Sequence, residues 1–105
     1  MLELLKKLLG IAPKADFAEL VREGATIIDV RTKGEYAGGH IRGSVNIPLD
    51  KLVDNLNKLK GKDKAIITCC ASGARSASAK GILTSRGFTN VYNGGSWMSL
   101  NRKID

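Results

Sequence analysis

The chain of 105 residues is 43% hydrophobic and 26% charged, with 17 basic against 10 acidic residues and a formal net charge of +7. That is the make-up of one ordinary globular domain, large enough for a single core without disulfide or metal support. The positive charge favours anionic ligands only weakly. The lysines are scattered, with no basic run longer than two and little aromatic interleaving, which argues against a nucleic-acid surface. No stretch approaches the roughly 20 apolar residues of a membrane span. The opening MLELLKKLLG, interrupted by Glu3, Lys6 and Lys7, lacks the apolar core and cleavage site of a signal peptide. A cytoplasmic protein, with no membrane partner, is therefore expected, and in a reducing compartment the adjacent Cys69 and Cys70 are expected as thiols rather than as a disulfide.

In chain order, Leu2, Leu5, Leu8 and Leu9 form a helical stripe that stops at Gly10, so residues 1–12 read as a short amphipathic helix and connector, and 13–105 as the domain. Asp16, with Glu19 three residues on, opens a helix FAELVREG closed by Gly24. ATIIDV is a buried, β-branched strand. RTKGEYAGGHIRGS reads as turn-rich, its glycines breaking any period. VNIPL is short and extended, and Asp50 is expected to cap a helix whose apolar face is Leu52, Val53, Leu56 and Leu59, ending at Gly61. KAIITC is a second strong strand, Ser76 to Arg86 a closely packed helix stopped by Gly87, and TNVYN a third strand. Gly94-Gly95 then lead to a tail anchored by Trp97, Leu100 and Ile104. Strands alternating with helices predict an α/β domain with a mainly parallel sheet covered on both faces.

Ligands of such sheets bind beyond the carboxyl ends of the strands. The loop Cys70-Ala71-Ser72-Gly73-Ala74-Arg75 lies at one such end. A loop of small residues can turn successive backbone N–H groups inward, and the next helix adds its positive end to the same point. A cysteine sulfur at the rim of that nest would be favoured as thiolate, below the unperturbed ~8.5, giving a nucleophile near neutral pH. Gly73 permits a backbone angle that larger residues resist. The contrasting possibility is a pair of inert, buried small hydrophobes.

IIDVRTKGEYAGGHIRGSVNIPLDKL followed by ITCCASGARSASAKGILTSRGFTNVYNGGSW resembles the single-domain rhodaneses, the sulfurtransferase family, over about residues 15 to 100. The family's first pattern is met by Asp29 to Arg31, Glu35-Tyr36, Gly39 to Ile41 and Asn46 to Pro48; its second, a cysteine opening a six-residue loop that ends in arginine, by Cys70 to Arg75. The resemblance implies a three-layer α/β/α domain with a central, mainly parallel sheet. It also implies a persulfide carried on Cys70, loaded by a small anionic sulfur donor such as thiosulfate and unloaded by cyanide or a thiol or protein acceptor. No metal or organic cofactor is expected, and a monomer is.

Counting from Cys69 instead gives C-x5-R, the spacing of phosphatases and arsenate reductases that share the rhodanese fold. Thr68 stands where phosphatases usually have histidine, and the family alignment puts Cys69 on the last strand residue; both favour Cys70. A third reading is a non-catalytic binding module, against which the intact cysteine loop argues. The amides from Ala71 through Ser72, Gly73, Ala74 and Arg75 to Ser76 are expected to hold the anion. Arg75 is expected either to contact the anionic donor or, as the favoured reading, to fold back and fix the loop with Glu35 as its partner. Asp29 and Arg31 are expected to brace the same end of the sheet, His40 to be a turn residue and Trp97 a core plug. Cys69 is expected as a core-facing strand residue, with a resolving thiol as the alternative. One departure stands out: thiosulfate-preferring members tend to carry basic residues in the loop, where this chain has Ala71, Ser72 and Ala74.

Overall fold

Four β-branched or small-residue segments pair along one direction. The computed structural model describes residues 15–59 and 61–105, so the helix expected over 1–12 lies outside the described residues. The strands are β1 (Thr26–Asp29), β2 (Val45–Asn46), β3 (Ile66–Cys70) and β4 (Val91–Ser96). They form one sheet in the order β2-β1-β3-β4, and every pairing is parallel. Parallel strands are covered on both faces, which is why β1 and β3 are apolar runs rather than alternating ones.

Successive side chains of a strand point to opposite faces, so each strand feeds two cores. Ile28, Ile66, Cys70 and Val91 face one side, under Ala79, Leu83 and Phe88; Ile27, Ile67 and Cys69 face the other, with Leu100. The helices α1 (Phe17–Arg22), α2 (Lys33–Ala37), α3 (Ala74–Ser85) and α4 (Trp97–Ile104) divide accordingly. α3 covers the first core; Phe17, Leu20 and Val21 of α1 and Trp97 and Ile104 of α4 pack on the second. Leu83 has no exposed surface; truncating such a residue to alanine costs about 2–5 kcal/mol.

Several expectations need correction. The glycine-rich stretch after β1 contains α2, opened by a capping box in which Thr32 accepts from the Glu35 N–H and the Glu35 side chain accepts from the Thr32 N–H. The Thr-x-x-Glu signal outweighs the glycines around it. The helix expected after Asp50 is two 3-10 segments, Leu49–Lys51 and Val53–Lys58, with Pro48 ahead of the first and no side-chain cap from Asp50. Val53 is 42% exposed, so it leaves the apolar face assigned to it, while Leu52 is buried. Strand β3 runs one residue further than expected, to Cys70. The helix after the loop begins at Ala74 rather than Ser76. Gly94 and Gly95 belong to β4, not to a connector, and the tail beyond them is α4.

Gly94 shows why that segment contains glycine. A Cβ there would lie 2.8 Å from Ile67 Cγ2, Leu100 Cδ2 and the Thr68 carbonyl oxygen. The pairing of Thr68 with Asn93 and of Cys70 with Ser96 places an extra residue in β4 at this point. That bulge shifts the end of β4 against the end of β3, where the cysteines lie.

Candidate active site

β3 delivers Cys70 to the carboxyl end of the sheet, and the chain turns at once into α3. Gly73 makes the turn with φ +108°, in the region glycine alone enters without strain, and stands at the N-cap of α3 with no side chain to cap it. The Cys70 sulfur takes that place. The Gly73 N–H donates to Cys70 Sγ at 3.0 Å and the Ser76 N–H at 3.4 Å. Orphan amides of a helix's first turn need an acceptor, and here the acceptor is the sulfur. The Thr68 hydroxyl donates to the Ser76 carbonyl at 2.9 Å, tying the helix start to the strand.

The sulfur lies at the floor of this loop, not at its rim, and Cys70 has no exposed surface. Burial pushes its pKa up, but hydrogen bonds from the Ser76 hydroxyl and from the Ser76, Gly73 and Ser72 amides more than offset this, and the thiol is held below its ordinary value. The closest amides are those of Gly73 and Ser76, at the distances given above, while residues Ala71, Ser72 and Ala74 are exposed at the outer surface.

Cys69 lies on the other face. Burial, reinforced by the nearby Asp29 carboxylate, pushes its thiol up to about 12. Both cysteines are free, and the side chains belong to opposite cores.

Arg75, at the start of α3, reaches back over the loop. Its Nη1 and Nη2 donate to Glu35 Oε1 at 2.7 Å and Oε2 at 2.9 Å. Arg75's bonds first, and then the Thr32 N–H, lower the Glu35 carboxyl from 4.5 to about 2. Both side chains are about one-third exposed, so solvent screens the pair and its weight lies in direction rather than energy.

Asp29 and Arg31 belong to the Cys69 side. Arg31 Nε donates to both Asp29 carboxylate oxygens, at 2.9 and 3.0 Å, and Nη2 to Oδ2 at 2.7 Å. The same guanidinium donates to the carbonyls of Gly39 at 2.7 Å and Glu35 at 3.3 Å, and stacks 4.8 Å from the Trp97 ring. A buried pair this fully bonded is a structural clamp. It meets the Cys70 loop only indirectly, by fixing the backbone of α2 from which Glu35 reaches Arg75. His40 stacks on Tyr36 and bonds its carbonyl oxygen through Nδ1 at 2.7 Å.

One residue that meets the sulfur's neighbour Ser76 is assigned no role by the sequence. Asn93 Oδ1 accepts from the Ser76 hydroxyl at 2.6 Å and from the Gly95 N–H at 2.9 Å. In the sequence it ends the expected strand TNVYN, immediately before a double glycine, and that is the signal that could have marked it.

A sulfur buried as the acceptor of loop amides, at the end of a parallel strand, defines a class of cysteine-loop α/β domains. The chain belongs to the rhodanese-like domain family, whose model matches residues 13–99. It is 41% identical over 69 residues to the uncharacterized protein YqhL of Bacillus subtilis, a match covering 66% of this chain but only 54% of YqhL, so the chain spans about half of that relative's length. It is 34% identical over 79 residues to the thiosulfate sulfurtransferase GlpE of Pseudomonas fluorescens, covering 74% of this chain and 72% of that one. A solved rhodanese with anions from E. coli superposes with a TM-score of 0.69 at 31% identity, over 72% of this chain and 91% of that one.

Proposed function

We propose that this protein is a sulfurtransferase that carries a sulfane sulfur as a persulfide on Cys70. The observation that carries this reading is the pair of N–H groups, from Gly73 and Ser76, donated to Cys70 Sγ. It is supported by the similarity to a relative named thiosulfate sulfurtransferase.

In the first half-reaction, the Cys70 thiolate attacks the outer sulfur of a donor such as thiosulfate. A new sulfur–sulfur bond forms at Cys70, the donor's sulfur–sulfur bond breaks, and its electron pair leaves on sulfite. In the second, cyanide or a thiolate attacks the outer sulfur of the persulfide; that bond breaks and the pair returns to Cys70. No net oxidant or reductant is needed, and the two steps are ping-pong covalent catalysis. Prearranged amides stabilise the anion at the start and end of each cycle, as an oxyanion hole does. Arg75, tied to Glu35, holds the loop in the shape that aims these amides. Ala71, Ser72 and Ala74 give the mouth of the loop no charge of its own, which points away from thiosulfate as the physiological donor and leaves it as the assay donor.

Intact mass after incubation with thiosulfate tests the reading. A gain of one sulfur atom, removed by reductant and absent from Cys70→Ser, is expected. No gain on the parent protein, with turnover of an aryl phosphate instead, would overturn it in favour of the wider loop counted from Cys69.

A further inference from the structure

The Ser76 hydroxyl has a single proton and three acceptors within reach: Asn93 Oδ1 at 2.6 Å, the Gly73 carbonyl at 2.9 Å and, at 3.6 Å, the Cys70 sulfur. The orientation of the Asn93 amide is fixed independently, because the Gly95 N–H donates to the same Oδ1 and requires an oxygen there. Facing an oxygen, the Ser76 hydroxyl donates to it. Its lone pairs then turn toward Cys70, which suits a thiol: the Cys70 S–H donates to Ser76 Oγ. A thiolate needs the reverse, a proton pointing at sulfur. Asn93 shares the face of β4 that carries Val91, the face toward Cys70.

We infer that Asn93 is a positioning residue for Cys70, acting through Ser76 as the alternative acceptor that holds the hydroxyl proton whenever the sulfur carries no charge. When Cys70 ionises, the hydroxyl rotates from Asn93 to the sulfur. When the persulfide forms and charge moves to the outer sulfur, the hydroxyl returns. The thiolate is therefore stabilised against a competing bond, and Asn93 keeps the thiol less acidic than the loop amides alone would make it. The inference rests on the reading of Cys70 as the nucleophile.

The ionisable groups around the sulfur are Arg75 on α3, its partner Glu35 on α2, Cys69 on β3, and Asp29 and Arg31 at the end of β1. β4 turns Asn93 to this face, while its Tyr92 packs in the opposite core. Asn93 is exposed, so water can replace it at the Gly95 N–H and its truncation leaves the fold intact.

Thiolate ultraviolet absorbance against pH, in a Cys69→Ala background so that only Cys70 reports among the thiols, tests the assignment. Asn93→Ala should lower the midpoint by about half a unit, part of the worth of one hydrogen bond to a charged acceptor, because the Gly73 carbonyl at 2.9 Å still competes for the Ser76 proton. Asn93→Asp, which keeps an acceptor for the Gly95 N–H and adds a negative charge, should raise it. In a Ser76→Ala background the Asn93→Ala shift should vanish. An unmoved midpoint in Asn93→Ala with a native melting temperature would overturn the assignment, as would the same shift with Ser76 absent. These titrations contain no sulfur donor. A parent protein that loads sulfur while Asn93→Ala leaves the midpoint unmoved sinks the Asn93 assignment alone, whereas failure to load sulfur sinks the proposed function.

Discussion

Cys69 and Cys70 share a peptide bond, a strand and complete burial, yet one thiol is pushed up to about 12 and the other is held below its ordinary value. Burial penalises both thiolates. The difference is direction: Cys69 points into the core beside the Asp29 carboxylate, Cys70 into the loop where amides converge. In a strand, a single step of sequence exchanges one face for the other. Depth of burial therefore says little about a cysteine's chemistry; what the sulfur faces decides it.

The sharpest way to break this contrast is substitution. Cys70→Ser should abolish both persulfide loading and thiocyanate formation, and Cys69→Ser should keep most of both; activity that survives loss of Cys70 but not of Cys69 would reverse the assignment. Titration comes next. The thiol left in Cys69→Ser should ionise below the value of an ordinary free thiol and that left in Cys70→Ser near 12, read by thiolate absorbance.

A smaller effect is expected from Gly73→Ala, because an L-residue at φ +108° costs about 1–2 kcal/mol. The denaturation midpoint should fall, and the Cys70 titration should move up as the 3.0 Å amide bond is lost; a stable variant with an unmoved titration would show that this amide is dispensable. The least expected change concerns Glu35 and Arg75. Arg75→Ala and Glu35→Ala should each reduce turnover and slightly lower the melting temperature, whereas an Arg75→Ala protein of unchanged melting temperature and much higher donor KM would make Arg75 a donor ligand. The Glu35 carboxyl is lowered in the fold, so its contribution to stability is complete above about 4.5 and fades as pH falls toward about 2. Denaturant titrations of Glu35→Gln should accordingly converge on the parent protein at the acid end of that window.

Much of this was legible in the chain. Ile27, Ile28, Ile66 and Ile67 mark the central strands by β-branching, and the glycines at 73 and 87 bracket α3 because each takes a left-handed backbone angle. The pairing of Glu35 with Arg75, 40 residues apart, came from motif resemblance, since no local period links them. Less legible were features decided by tertiary contact. The Thr32 box makes a helix of five residues that hydrophobic period cannot reveal. Asp50 could have capped a helix, but the chain after Pro48 tightens into 3-10 turns instead. Asn93 meets Ser76 through the register that sets it opposite Thr68, just ahead of the bulge, and pairing register is invisible to composition.

Cys70 has no exposed surface, and this gives the thiol a second property besides acidity. Oxidation to sulfenic acid requires both a thiolate and room for peroxide to reach it in line, with further oxygens needing more room still. A sulfur roofed by its own loop offers the charge without the space. Under the proposed function, a partner would have to approach the sulfur past residues 71–73, of which Ala71 and Ser72 are exposed. The concealment that would narrow access for a sulfur-transfer partner narrows it equally for an oxidant, so acidity and durability can coexist in one thiol.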